Sequence, residues 1–323
     1  MLRTRLCDLM GIEHPIISAP MAGSSGGALA AAVSAAGGLG MIGGSFQSAE
    51  WLVEQIEFVR RQTSNPFGVG FVTSSPDTAA LMDIALEHRV PVISHAFADP
   101  TEYITMASEQ GLKTMVQVQS VAQARAAAQA GADVIAAQGV EAGGHTGTVS
   151  STLPLVPAVI DVVGDIPVVA AGGIGDGRGL AAVLMLGAEG AWMGTRFVAS
   201  LESISSDIDK QQITEHGGDD FILTRVYDII RDAPFPEGIS ERILRNEFTD
   251  AWTGREDDVI ERKQELLAHL DAAAAAGDTS IKRILAGNSA GLVHGVEPAA
   301  DILLRIVAEA ETILRSRPAS VVQ

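Results

Sequence analysis

Cysteine occurs once in the 323 residues, as Cys7, which excludes a disulfide framework and any cysteine-based zinc site. Basic residues are scarce, 22 against 40 acidic ones, for a formal charge of −18. That balance argues against nucleic acid or an anionic membrane surface as a partner. Long apolar runs are missing too. The stretches from Ala28 to Ile42 and from Pro167 to Ala171 are broken by small residues and glycines, well short of the roughly 18 continuous apolar residues of a membrane span. Met1-Leu2-Arg3-Thr4-Arg5-Leu6 leads into no apolar run or cleavage-like site, so a secretory signal is not expected. The motifs H-E-x-x-H, G-x-S-x-G and the Walker lysine motif are absent, which removes zincin, serine hydrolase and P-loop readings. What is there is a 47% hydrophobic share and 34 glycines, enough for a sizeable core. The expectation is a soluble, cytoplasmic α/β protein.

Short apolar runs alternate with longer amphipathic or alanine-rich segments. Strands are expected at Ile16–Ser18, Gly40–Ile42, Gly68–Val72, Val92–Ser94, Thr114–Gln117, Val134–Ala137, Val168–Ala171 and Ala191–Met193. Helical patterns lie between them, at Leu29–Ala36, Ala49–Gln62, Thr78–His88, Thr101–Glu109, Val121–Ala130, Leu155–Val163 and Gly179–Leu186. Strands buried in a parallel sheet read as unbroken apolar runs, and these do. Eight such strands, nearly all followed by a helix, give a (β/α)8 TIM barrel, with a doubly wound sheet as the alternative. Glycines at Gly37, Gly131 and Gly187 mark helix ends. After Phe197 the charge density rises, with Asp219-Asp220, Arg255-Glu256-Asp257-Asp258 and Glu261-Arg262-Lys263. Residues 200–285 therefore read as a mostly helical insertion, with a helical pattern over Val259–Ala276. Residues 1–199 and 286–323 make up the barrel, closed by a helix from Pro298 to Leu314, and the tail from Ser316 is expected to fray.

Barrel active sites are built by the loops after the strands' carboxyl ends. The first strand ends in Ala19-Pro20-Met21-Ala22-Gly23, where small residues and a proline let backbone approach a flat ligand. The sixth runs into Gln138-Gly139-Val140-Glu141-Ala142-Gly143-Gly144-His145-Thr146-Gly147, a histidine set among glycines and a candidate active-site group. Glu141 either accepts a ligand hydrogen bond or pairs with a neighbouring loop. The seventh strand ends in Ala171-Gly172-Gly173-Ile174 and the eighth in Met193-Gly194-Thr195-Arg196. Loops after strands seven and eight are the usual phosphate site of this barrel, and backbone N–H groups there need no excess of lysine. His95, after the fourth strand, either faces the barrel mouth or is structural.

The set Pro20-Met21-Ala22, Ala32–Gly40, Glu141-Ala142-Gly143-Gly144-His145-Thr146-Gly147, Ala171-Gly172-Gly173-Ile174, Met193-Gly194-Thr195-Arg196-Phe197 and Ala286–Val293 resembles the nitronate monooxygenases, formerly 2-nitropropane dioxygenases. The resemblance covers about Pro15 to Phe197 and returns near Ala286. It implies non-covalent FMN at the barrel mouth. Gly172, Gly173, Gly194 and Thr195 would hold its phosphate, with Gly143 and Ala171 alongside. Pro20, Met21, Ala22 and Gly70 would line its ring, and Gln117 and Gln138 would bond its polar edge. It makes His145 the catalytic residue, as base toward a nitroalkane or as the group that positions a nitronate. The implied reaction takes a small nitronate or nitroalkane and O2 to a carbonyl compound and nitrite, the flavin performing the redox step. It implies no metal, nucleic acid or membrane partner, and a homodimer is compatible with it. The alternative on the same scaffold is an FMN-dependent NAD(P)H reductase of the enoyl-acyl carrier protein or quinone type.

Overall fold

The computed structural model describes residues 2–322. Eight strands form one parallel sheet: β1 (Ile16–Ser18), β2 (Gly40–Gly43), β3 (Phe67–Val72), β4 (Val92–Ala96), β5 (Lys113–Val118), β6 (Val134–Gln138), β7 (Val168–Ala171) and β8 (Gly190–Met193). From β2 onward each pairs with the next in sequence, and β8 returns to β1 through Ile16↔Ala191. A parallel bridge from Ile17 to Leu39 closes the remaining gap, so the sheet is a (β/α)8 barrel, as the strand count predicts. Alternate residues point to opposite faces. Ile17, Met41, Val92, Met115, Val134, Val169 and Trp192 fill the barrel, and Leu6, Cys7 and Met10 of the helix Arg5–Met10 join that cluster. Outward residues such as Ile16, Ile135 and Ala191 pack against Leu29, Val33, Leu180 and Ile302 of the surrounding helices.

The helices follow from caps and apolar spacing. Ala49–Gln62 starts at Ser48, whose hydroxyl accepts from Trp51 N, and buries Leu52, Ile56 and Val59. Asp176 caps Gly177–Met185 by accepting from Arg178 N and Gly179 N. Gly37, Gly131 and Gly187 all take positive φ where their helices stop.

Three expectations need correction. The histidine loop is not irregular: Gly144–Gly147 forms a strand that pairs antiparallel with Ile239–Leu244, which pairs in turn with Phe221–Thr224. The segment 200–285 is thus part sheet. Its strand Ile239–Leu244 carries two charged residues, Glu241 and Arg242, that are both buried. The Val259–Ala276 pattern divides at Arg262 into Glu256–Glu261 and Lys263–Ala275. The tail from Ser316 continues as helix to Val321, the end of Ala299–Val321. Among the described residues no helix is long and apolar enough to cross a membrane.

Candidate active site

A cavity of about 640 Å³ opens at the carboxyl ends of the barrel strands. Pro20, Met21, Ala22, Gly70, Gln117, Gln138, Gly143, His145, Ala171, Gly172, Gly173, Gly194 and Thr195 all line it. The chain therefore brings together every residue singled out from its sequence. The cavity also takes in Phe46, Phe97, Asp228, Arg231, Phe235 and Arg283, none of them singled out individually from the sequence.

Its floor is shaped for close approach. Gly70 in β3 lies where any Cβ would fall inside the Pro20 ring and on the Ser94 hydroxyl. Gly172 has φ +95°, and a Cβ there would lie 2.8 Å from the Gly139 carbonyl. Between strands β7 and β8, the N–H groups of Gly173, Gly194 and Thr195 donate to no other group among the described residues. Thr195 Oγ1 accepts from Gly287 N at 2.9 Å, so its own proton is free to donate. The near-terminal Ala286-Gly287-Asn288 segment closes this wall, with Asn288 N donating to the Glu141 carbonyl at 3.0 Å.

Two of the sequence candidates are already engaged. The Glu141 carboxylate accepts from Thr152 N and Thr152 Oγ1, which makes it a loop partner for the helix Thr152–Val163. The Gln138 amide accepts from Gln119 Nε2 at 3.0 Å and donates to the His145 carbonyl at 3.1 Å, leaving one N–H for other use. Gln117 Nε2 and Ser94 Oγ, by contrast, are buried with no partner among the described residues, an arrangement that costs free energy unless a ligand satisfies them.

His145 sits at one side of the cavity. Its Nε2 lies 3.0 and 3.1 Å from the two oxygens of Asp228, which projects from the helix Val226–Arg231. Nδ1 has no partner among the described residues. An ionised Asp228 fixes the Nε2–H tautomer through this bond and leaves the Nδ1 lone pair free. Burial holds the imidazole below its ordinary pKa, only partly offset by Asp228. Phe235 stacks on the ring with centroids 3.3 Å apart, and Phe97 meets it edge-on at 6.2 Å. Phe46 and Phe97 have positive φ, a strained conformation for a bulky residue, and both line the cavity wall. Glu241 stands directly opposite His145 in the strand pairing and is ion-paired with Arg283.

His95 faces the cavity from β4, yet is almost wholly buried. It is stacked on Tyr103 at 4.9 Å, with Nδ1 3.2 Å from Thr73 Oγ1. Desolvation lowers its pKa to about 3, against 6.5 when exposed. An unfolded chain thus protonates this histidine first, so its contribution to stability is complete above about pH 6.5 and is lost as pH falls toward 3. His95→Gln should flatten that part of the acid limb. Urea midpoints of both proteins at pH 7 and pH 4.5 check this, and an equal difference between them at the two values would refute it.

Barrels of this kind carry their chemistry at this end, and the histidine–aspartate pair puts an acid–base group there. Fold and cavity together define a (β/α)8-barrel enzyme. Comparison with known proteins agrees. The profile described as "Nitronate monooxygenase" matches residues 3–85 and 79–309. A "Probable nitronate monooxygenase" of Staphylococcus aureus (strain JH9) is 34% identical, over 97% of this chain and 99% of that protein. The chain belongs to the nitronate monooxygenase family and is an oxidoreductase. Its fold is shared with FabK from Thermotoga maritima, at TM-score 0.89 and 37% identity, covering 99% of this chain and 100% of that one. The nitroalkane oxidase from Streptomyces ansochromogenes matches at TM-score 0.82 and 31% identity, covering 98% and 99%.

Proposed function

We propose that this chain oxidises nitronates, and neutral nitroalkanes after removing their α-proton, with O2 to a carbonyl compound and nitrite. The observation that carries the reading is His145: largely but not fully buried, neutral, anchored through Nε2 to Asp228, and with Nδ1 unpartnered at the wall of the cavity. Membership of the nitronate monooxygenase family and the likeness to a nitroalkane oxidase support it.

The residues present fit FMN. Gln117 Nε2 and Ser94 Oγ are buried donors lacking an acceptor, as the polar edge of a flavin would supply. The missing Cβ of Gly70 leaves the floor beside Pro20 flat, and Met21 and Ala22 continue that surface. The free N–H groups of Gly173, Gly194 and Thr195, with the Thr195 hydroxyl, suit a phosphate. Bound there, the flavin supplies the electron-transfer chemistry.

The rest falls to side chains. Nδ1 of His145 takes the proton from the carbon bearing the nitro group. The C–H bond breaks, its electron pair becomes the C=N bond, and negative charge moves to the nitro oxygens. Asp228 holds the ring and stabilises the imidazolium that forms. Phe235 and Phe97 exclude water from that ring, which strengthens the pairing with Asp228. Because the imidazole pKa lies below its ordinary value, the base stays competent down through pH 6.5, and kcat/KM for a neutral nitroalkane should fall only at lower pH.

The test is an anaerobic titration of the purified protein, followed at the flavin band at about 450 nm, the absorbance of the redox group itself. Bleaching by a nitronate alone supports the reading. Bleaching by NADH or NADPH alone points instead to a reductase, and a colourless protein that takes up no FMN overturns both. The anchor has its own check. Asp228→Asn should lower kcat/KM for a neutral nitroalkane by about 10²-fold, since it frees the wrong tautomer of His145, while a preformed nitronate loses much less. Equal losses on the two substrates would remove Asp228 from the proton step.

A further inference from the structure

The geometry points to Glu241 as a positioning residue for the reaction: we infer that it is a second, proton-holding acid whose ionisation sets the basicity of His145. This rests on the reading of His145 as the base, although its own test does not need turnover.

The placement comes from the small sheet. Ile239–Leu244 pairs antiparallel with Gly144–Gly147 in a register that sets Glu241 across from His145. The Glu241 side chain is 0% exposed. One oxygen, Oε2, accepts from Arg283 Nε, whereas Oε1 is buried with no partner among the described residues. A polar atom of His145, one of Asp228 and one of Glu241 all lie within 4.8 Å of one another. Two carboxyls and an imidazole thus share one small buried volume, with Arg283 ion-paired to Glu241 and Arg231 near it.

Every charged group facing Glu241 can be named. Asp228 and Arg231 come from the helix Val226–Arg231, His145 from the opposite strand, and Arg283 from the segment leading into Leu285. Tyr227 is close by, but its phenol donates to the Ile281 carbonyl and burial pushes it up to about 12, so it stays neutral. Burial and the charge of Asp228 raise Glu241 to about 7, against the pull of Arg283.

Charge balance explains the consequence. With Asp228 ionised, Arg231 and Arg283 cationic and Glu241 protonated, the cluster carries one net positive charge around a neutral imidazole. Adding the substrate proton to His145 adds a second positive charge, and ionising Glu241 offsets it by releasing a proton to solvent. Each event therefore favours the other, and the linkage is reciprocal. With Glu241 ionised, His145 is the stronger base. An apolar residue in that place would leave His145 with one fixed, lower basicity.

The experiment follows the His145 imidazole by NMR in full-length protein labelled at histidine, its signal identified by its absence in His145→Asn. In the native protein the titration should show two inflections. Glu241→Gln keeps an oxygen for Arg283 and mimics the protonated acid, so it should abolish the upper inflection and leave a single titration of His145. Should that variant fail to fold, Arg283→Gln provides the converse: loss of the cation should move the upper inflection to higher pH. The upper inflection should also appear in the pH profile of kcat/KM for a nitroalkane and vanish in Glu241→Gln. A His145 titration identical in native and variant proteins would overturn the inference, even with nitroalkane turnover intact. Coupled titration without any nitroalkane turnover would leave Glu241's assignment standing and refute the substrate reading instead.

Discussion

His145→Asn is expected to cut kcat/KM for a neutral nitroalkane by about 10²–10⁴-fold, the usual contribution of a positioned proton-transfer group. A nitronate supplied already deprotonated should be affected far less, within about tenfold, since only binding is lost. The contrast matters more than the size. Asparagine keeps a polar group of similar breadth beside Asp228 but has no titratable nitrogen, so the fold and the pairing with Ile239–Leu244 should survive. Nitrite release from both substrates, measured on protein of equal flavin content, checks the prediction. Undiminished turnover of the neutral nitroalkane would remove His145 from the proton step. Equal losses on both substrates would make it a binding residue.

The second large effect is expected at the cavity floor. Gly70→Val places a branched side chain inside the space of the Pro20 ring and the Ser94 hydroxyl. Neither neighbour yields easily, because β3 is hydrogen-bonded on both sides, through Gly43↔Gly70 and Gly70↔Ser94. Overpacking of this kind costs about 1–3 kcal/mol. If the floor seats a flavin, the displaced Pro20 should also cost the protein its yellow colour. Thermal denaturation and the ratio of flavin to protein absorbance report the two losses separately. A destabilised variant with full flavin content would show that the ring does not rest on this floor.

Much of the barrel was legible in the sequence because its signals are local. A strand buried on both faces must be continuously apolar, and the glycines that end helices must sit where φ turns positive. The glycine turns at Gly172-Gly173 and Gly194-Thr195 were visible for the same reason. Asp228 was not, since it meets His145 across 83 residues and lies in a charge-rich stretch with no spacing to mark it. The strand Ile239–Leu244 was hidden by Glu241 and Arg242, whose burial is compensated only by distant partners: Arg283 for one, the Val140 and Phe221 carbonyls for the other. The aromatic wall escaped too, because Phe46, Phe97 and Phe235 converge from three separate loops.

The short strand Gly144–Gly147 belongs to two neighbourhoods at once. Its chain emerges from the barrel after β6, but its edge is zipped to a strand contributed from another part of the chain, and the carboxylates nearest His145 come from there as well. Labour is thereby divided: barrel strands and their turns form the cavity floor, and a separate stretch of chain surrounds the histidine that faces it. Insertions or substitutions between residues 220 and 245 can retune acidity and the shape of the wall while the turns after β7 and β8 stay as they are. Enzymes built on one such floor can in this way diverge in the compounds they accept by editing a single peripheral segment.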